Sequence, residues 1–208
     1  MPLDVLMVTG AYPPEVSGGG IQCRELVRIL QSHVKFTVLT TCTESSLPEA
    51  GELDGVPVYR VLVDVSRVES KLRAALNLAG TFVRLCGEVD IVHFHSFSQK
   101  SLLLTILAKL FRKTLVLTLH TAGSDEPHSI RSKGRLAFWC YSQADLYFGV
   151  SPRLQQLYYS SGMPHDKFRL IPNGVDLECF RPAGQGERQA LRRELGLPEE
   201  LVLILFVG

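Results

Sequence analysis

The chain has 208 residues, with 22 Lys and Arg against 21 Asp and Glu, for a formal net charge of +1. At about 150 residues per domain, that length is one large domain or one and a fraction. Hydrophobic residues at 46% and charged residues at 21% exclude a disordered chain, and the balanced charge excludes a dedicated nucleic-acid binder, which carries a basic excess.

Strand-like and helix-like segments alternate along the chain. Leu3–Thr9 is an apolar run that ends in a Gly/Pro-rich loop, residues 10–20. Ile21–Leu30 has helical spacing, with Leu26, Val27 and Leu30 on one side. Val34–Thr41 is rich in β-branched residues and predicts a second strand, and Val56–Val63 a third. Val68, Leu72, Leu76, Ala79 and Val83 recur at helical spacing through Cys86, an apolar stripe expected to pack on a sheet. Ile91–Phe94 predicts strand four, followed by a helix near Leu102–Phe111. Thr114–Leu119 predicts strand five, Arg135–Tyr141 a helix and Leu146–Val150 strand six. Pro152 suits the first residue of a helix to about Tyr159, and Phe168–Ile171 is the seventh strand. Gln185–Leu195 reads as a charged helix stopped by Gly196 and Pro198, and Leu201–Gly208 as an apolar strand.

Buried strands separated by helices make βαβ units, which demand a parallel sheet covered on both faces. The expected fold class is therefore α/β, a doubly wound parallel sheet. Residues 1–182 are expected to form this domain. Residues 183–208 are expected to be a linker helix and the first strand of a second domain, cut off before its remainder. In such sheets ligands bind beyond the carboxyl ends of the strands. Chemistry is thus sought at Thr9–Gly20, His95–Ser98, His120–Glu126 and Ser151.

Gly18, Gly19 and Gly20 stand just before a helix, where unobstructed backbone N–H groups suit a phosphate; the same triplet also suits a flexible loop. Neither GxGxxG nor a P-loop GK[ST] is present. His93 and His95 share one face of a strand, with His95 at its carboxyl end and His93 deeper, as expected of a hydrogen-bonded core residue. A metal pair would need a third ligand, and none is evident. His120 ends an apolar strand, where a neutral imidazole can contact a substrate hydroxyl or serve the structure. No DxD pair occurs, so an anion would be held by amides and by cations such as Arg24 and Lys100.

Taken in order, these pieces resemble the N-terminal domain of family 4 glycosyltransferases, whose GT-B architecture sets two Rossmann-like domains face to face. The matching pieces are Tyr12-Pro-Pro with Gly18–Gly20, the run Asp90–His95, Thr118-Leu-His120, Val150-Ser151, and Ile171–Asp176 followed by Phe180-Arg-Pro182. The resemblance implies retaining transfer of a sugar from a nucleotide-diphosphate sugar to an acceptor hydroxyl on a glycan, lipid or small molecule. It implies that Gly19 and Gly20 approach the donor diphosphate, that His120 is catalytic at the transferred sugar, and that His95, Ser151 and Arg24 face the acceptor. Arg24 stands where many members have a histidine. No metal or other cofactor is implied, and a C-terminal donor-binding domain is required. A nucleotide-sugar epimerase of the same architecture is one alternative, and a non-catalytic domain that binds a sugar or partner is another.

Five cysteines at 23, 42, 86, 140 and 179 include no CxxC pair, which argues against a disulfide framework and for a reducing compartment. The longest apolar stretch, from Ser101 to Leu110, holds Lys109 and is short of the roughly 20 residues that span a bilayer. The expected location is cytoplasmic. Arg67, Lys71, Arg73 and Arg84 outnumber Glu69 along the helix through Cys86, a pattern that also suits the face of an anionic membrane. That version needs apolar residues exposed beyond the stripe, with Phe82 and Leu85 as candidates. Burial of the stripe against the sheet, with the cations in water, is the expected arrangement.

Overall fold

A computed structural model describes residues 3–206. The chain divides into two compact units, residues 1–173 and 174–208. The first unit holds one eight-stranded sheet. In chain order its elements are β1 (Asp4–Thr9), α1 (Gly18–Leu30), β2 (Lys35–Cys42), β3 (Ala50–Leu53), β4 (Val56–Leu62) and α2 (Val68–Cys86), then β5 (Ile91–His95), α3 (Gln99–Leu110) and β6 (Thr114–Leu119). The short helices α4 (Pro127–Ser132) and α5 (Arg135–Ser142) precede β7 (Leu146–Gly149), α6 (Pro152–Ser160) and β8 (Phe168–Leu170).

The strand order is β3-β4-β2-β1-β5-β6-β7-β8, and every pairing is parallel except β3 with β4. The chain winds outward from β1 in both directions, so the carboxyl ends of β1, β5 and β6 line up at the switch in winding. The expected doubly wound sheet is present, with one addition. β3 joins β4 through Asp54 and Gly55, both at positive φ (53° and 81°), the geometry of a two-residue hairpin turn. This antiparallel edge strand escaped the periodicity argument.

Side chains alternate between the two faces of the sheet. On one face Leu6, Val8, Leu39, Phe94 and Leu117 pack against residues of α2, α3, α5 and α6. On the other, Val5, Met7, Val38 and Val58 pack against Cys23 and Val27 of α1 and against Tyr12.

Helix α2 corrects one expectation. The stripe read as its core face is not the one buried: Val68, Leu72, Leu76 and Val83 are exposed. Ala74, Leu78, Phe82, Leu85 and Cys86 are buried instead. Phe82 and Leu85, named as residues a membrane would need exposed, therefore lie in the core. The helix carries two adjacent apolar stripes, and packing chose the one with the larger phenylalanine. No helix among the described residues is long and apolar enough to cross a membrane.

In the second unit, α7 (Gln185–Glu194) forms as expected, and Arg181 pairs with Glu187 at 3.0 Å. The expected strand from Leu201 does not form over the described residues 201–206. A strand exists only through pairing with a neighbour, and among the described residues of this unit no strand lies beside it. Val202, Ile204, Leu205 and Phe206 are exposed. Residues 207 and 208 lie outside the described residues.

Which stripe of α2 carries the fold can be measured by urea denaturation. Phe82→Ala is expected to cost about 3–5 kcal/mol, as a buried aromatic does. Leu72→Ala, on the stripe expected to be buried, should stay within about 0.5 kcal/mol. Equal losses would contradict the observed rotation of the helix.

Candidate functional site at the carboxyl ends of the central strands

Three histidines gather where β5 and β6 end. Parallel pairing sets His93 beside Val116 and His95 beside Thr118. His93 is buried and its Nε2 lies 2.7 Å from Thr118 Oγ1, the core role expected of it. His95 packs at a tilt against His93 and stacks on His120, with ring centroids 4.6 and 5.4 Å away. Its Nδ1 is 3.3 Å from His120 Nε2, and its own Nε2 is buried without a partner. Burial holds all three imidazoles below the usual histidine range, His93 down to about 3. Two neighbouring histidines add to the effect at His95, whereas the Asp125 charge opposes it at His120. Among the described residues, no group of three or more His, Cys, Asp or Glu is placed to hold a metal.

The glycine loop closes over this cluster. An added Cβ on Gly19 would lie 3.7 Å from Cδ2 and Nε2 of His120, so this backbone faces the imidazole across a space that one methyl group would fill. Ser17 caps α1, and its Oγ accepts from the Gly20 amide at 3.0 Å. An added Cβ on Gly20 would come within 2.3 Å of the Ala11 carbonyl oxygen. Gly20 is thus fixed by packing and capping, and its amide is not free for the diphosphate contact expected of it. Gly18 and Gly19, in the first turn of α1, keep the amides that no helical carbonyl can reach.

Two of the other expected residues are engaged elsewhere. Arg24 donates Nε to Asp54 Oδ2 at 2.7 Å, in an ion pair with the hairpin turn. The guanidinium of Arg24 stays partly exposed beside that turn. Ser151 caps α6, its Oγ accepting from the Leu154 amide at 3.3 Å. The Ile171–Asp176 segment, given no chemistry in the sequence, is tied to α1 at Asn173, whose Oδ1 accepts from Gln22 Nε2 at 2.6 Å.

Two residues at the site were missed or underrated. Asp125 is buried in the loop after β6, where its carboxylate accepts from the amides of His120 (2.9 Å), Thr121 (3.1 Å) and Phe97 (3.4 Å) and from the Ser96 hydroxyl (3.1 Å). Lys100, near the start of α3, donates Nζ to the Thr9 carbonyl and to Thr41 Oγ1, each at 3.0 Å. Burial pulls this ammonium down to about 8.

Comparison with known proteins identifies the family. The sequence profile of Glycosyltransferase Family 4 matches residues 16–179. D-inositol 3-phosphate glycosyltransferase 1 of Catenulispora acidiphila is 28% identical across 99% of this chain and 52% of its own length. Alpha-maltose-1-phosphate synthase of Mycobacterium tuberculosis is 28% identical across 99% of this chain and 53% of its own. The chain thus spans about half the length of the curated relatives it matches. Among solved structures, sucrose-phosphate synthase of Thermosynechococcus elongatus aligns with a TM-score of 0.69 at 16% identity, over 95% of this chain and 53% of that one. An Anabaena protein solved with UDP aligns at 0.68 and 18%, over 93% and 50%. UDP-GlcNAc 2-epimerase of Methanocaldococcus jannaschii aligns at 0.57 and 11%, over 82% and 46%. At these identities the structures speak for the fold alone, a doubly wound α/β domain that spans about half of each of those chains.

The two glycines make a sharp contrast in stability. Gly20→Ala should lower the thermal midpoint by several degrees, since its Cβ meets a backbone carbonyl. Gly19→Ala should leave the midpoint nearly unchanged; the reverse order would refute the described loop. Lys100 gives a pH test. Its folded pKa of about 8 lies below the unfolded 10.5, so across that window the unfolded chain binds more protons and stability rises with pH. Buried Cys23 and Tyr12, both raised to about 12, act in the opposite sense. The difference between the native chain and Lys100→Met therefore isolates the lysine. That difference should reach on the order of 3 kcal/mol from pH 8 to 10.5 in urea melts, and parallel profiles would refute it.

Proposed function

The chain belongs to glycosyltransferase family 4, and from that premise we propose that it is the acceptor-facing part of a retaining glycosyltransferase. The donor is a nucleotide-diphosphate sugar. In the reaction the bond from the anomeric carbon to the diphosphate oxygen breaks and a bond to the acceptor oxygen forms on the same face of the sugar. The acceptor's hydroxyl proton leaves with the diphosphate.

The observation that carries this reading is that Gly19 faces the His120 ring, about one methyl group away, at the carboxyl ends of β1, β5 and β6. A diphosphate laid over Gly18 and Gly19 meets two free amides at the positive end of a 13-residue helix. The sugar attached to it then falls beside His120. That imidazole is neutral near pH 7, because burial holds its pKa below 6.5. It acts as a fixed hydrogen-bonding group on the transferred sugar and not as a cation. His95 supports it from behind, and Asp125 is a positioning residue that fixes the backbone of His120. Preorganised donors of this kind are worth most where water is excluded.

The reading uses no metal or organic cofactor and is set in the cytoplasm. It requires a second domain to complete the donor pocket and to close over it. The names of the two relatives favour transfer over epimerisation, since one is called a glycosyltransferase and the other a synthase.

In the complete enzyme, His120→Ala is expected to lower kcat by about 100-fold or more, with the thermal midpoint almost unmoved. Gly19→Val should weaken donor binding, because a branched side chain keeps the diphosphate off the backbone. Above pH 7.5 the rate should show no titration that His120→Ala abolishes, since a group held below 6.5 is already neutral there. Near-normal turnover by His120→Ala with saturating acceptor would overturn the assignment.

A further inference from the structure

A pocket of about 460 Å³ opens between α2 and α3, beyond the carboxyl end of β2. Its apolar wall includes Ala74, Leu78, Leu103 and Leu104. Its polar lining is Thr41, Ser98, Gln99 and two cations, Lys71 and Lys100, with no carboxylate. Leu103, partly exposed, lies at the mouth.

Lys100 is the unusual member. Its ammonium is largely withdrawn from water, yet both of its hydrogen-bond partners are neutral oxygens, those of Thr9 and Thr41. An ammonium has three donors, so one remains unassigned. A buried charge is costly unless an opposite charge meets it. A methionine or leucine would fill the same volume without that cost. Lys71, at the rim, lies within reach of the Asp64 charge, but no anion is set against Lys100 inside. The missing partner is an anion brought by a ligand, and two cations suit a doubly charged one. The apolar wall suits whatever carries that charge.

We propose that this pocket binds the acceptor, and that the acceptor is a phosphomonoester on an apolar body, its phosphate held by Lys100 inside and Lys71 at the rim. The word acceptor rests on the transfer reading above; the anion site rests on the pocket alone. Thr41 Oγ1 donates to the Gly10 carbonyl at 2.6 Å, so the anion site adjoins the loop that leads to Gly18 and Gly19. The ammonium, though lowered to about 8, stays mostly protonated at pH 7.

The test is calorimetric titration of this chain at pH 7 with three probes: octyl phosphate, inorganic phosphate and octyl glucoside. Octyl phosphate should bind at least about 10-fold more tightly than inorganic phosphate, because its methylenes leave water for the apolar wall. Octyl glucoside, with the same tail and no charge, should bind no better than inorganic phosphate. Lys100→Met should weaken octyl phosphate about 10-fold or more while the thermal midpoint stays level or rises. Lys71→Ala, at an exposed position, should weaken it by a smaller factor with no change in fold. Unaltered affinity in Lys100→Met, or equal binding of the glucoside and the phosphate, overturns the proposal. Loss of the fold in Lys100→Met combined with full affinity in Lys71→Ala also overturns it, for Lys100 is then a strut between β1 and β2. None of these readings uses a donor or turnover. A failure here leaves transfer to an uncharged acceptor standing, and a failure of His120 leaves the anion site standing.

Discussion

The carboxylate of Asp125 gathers donors from the loops after two neighbouring strands, and the geometry of the histidines follows from that clasp. Ser96 and Phe97 come from the end of β5; His120 and Thr121 come from the end of β6. Four donors on one carboxylate let it sit out of water without a cation. The pairing of β5 with β6 already places His95 beside Thr118. Once the main chain of His120 is bound to the same carboxylate, the two rings have little choice but to meet. Ser96, at a φ of 70°, shows the backbone bending to deliver its hydroxyl to the clasp.

The central strands could be read from sequence because a strand buried on both faces is a continuous β-branched and apolar run. Leu3–Thr9, Thr114–Leu119 and their neighbours have no other home. Helix α2 could be recognised as a helix, but its rotation could not. Val68, Leu72, Leu76 and Val83 repeat as regularly as Ala74, Leu78, Phe82 and Leu85, and periodicity does not rank two stripes. What ranks them is the shape of the sheet they meet. Strand β3 was missed although its turn, Asp54-Gly55, is a hairpin dipeptide; Ala50-Gly-Glu-Leu is too short and polar to announce a strand. Leu201–Phe206 shows the opposite limit: its composition asks for a strand, but composition cannot supply a neighbour.

At the site, the rule that ligands gather at strand carboxyl ends located His95, His120 and the glycine loop. It could not divide the labour within that loop. Gly19 and Gly20 are equivalent as letters, yet one leaves room for a methyl beside an imidazole and the other is hemmed in by a carbonyl and a capping serine. Arg24 and Ser151 entered as acceptor contacts through the resemblance; nothing along the chain signalled that Arg24 also pairs with Asp54 and that Ser151 also caps a helix. Asp125 gave no signal, since its partners are three amides and a hydroxyl, which carry no pattern along the chain. Lys100 read as a surface cation because its burial depends on β1, β2 and α3 converging.

The unpartnered Nε2 of His95 has a bearing on its neighbour. A neutral imidazole carries one proton, on either nitrogen. A proton on Nε2 would bury an N–H with no acceptor, the rarer and costlier kind of orphan. With the proton on Nδ1, His95 donates to Nε2 of His120 across 3.3 Å, and only a lone pair is left unmatched. His120 must then hold its own proton on Nδ1. The environment of one deeply buried ring thereby fixes the tautomer of the next, and settles which edge of His120 gives a hydrogen and which receives one.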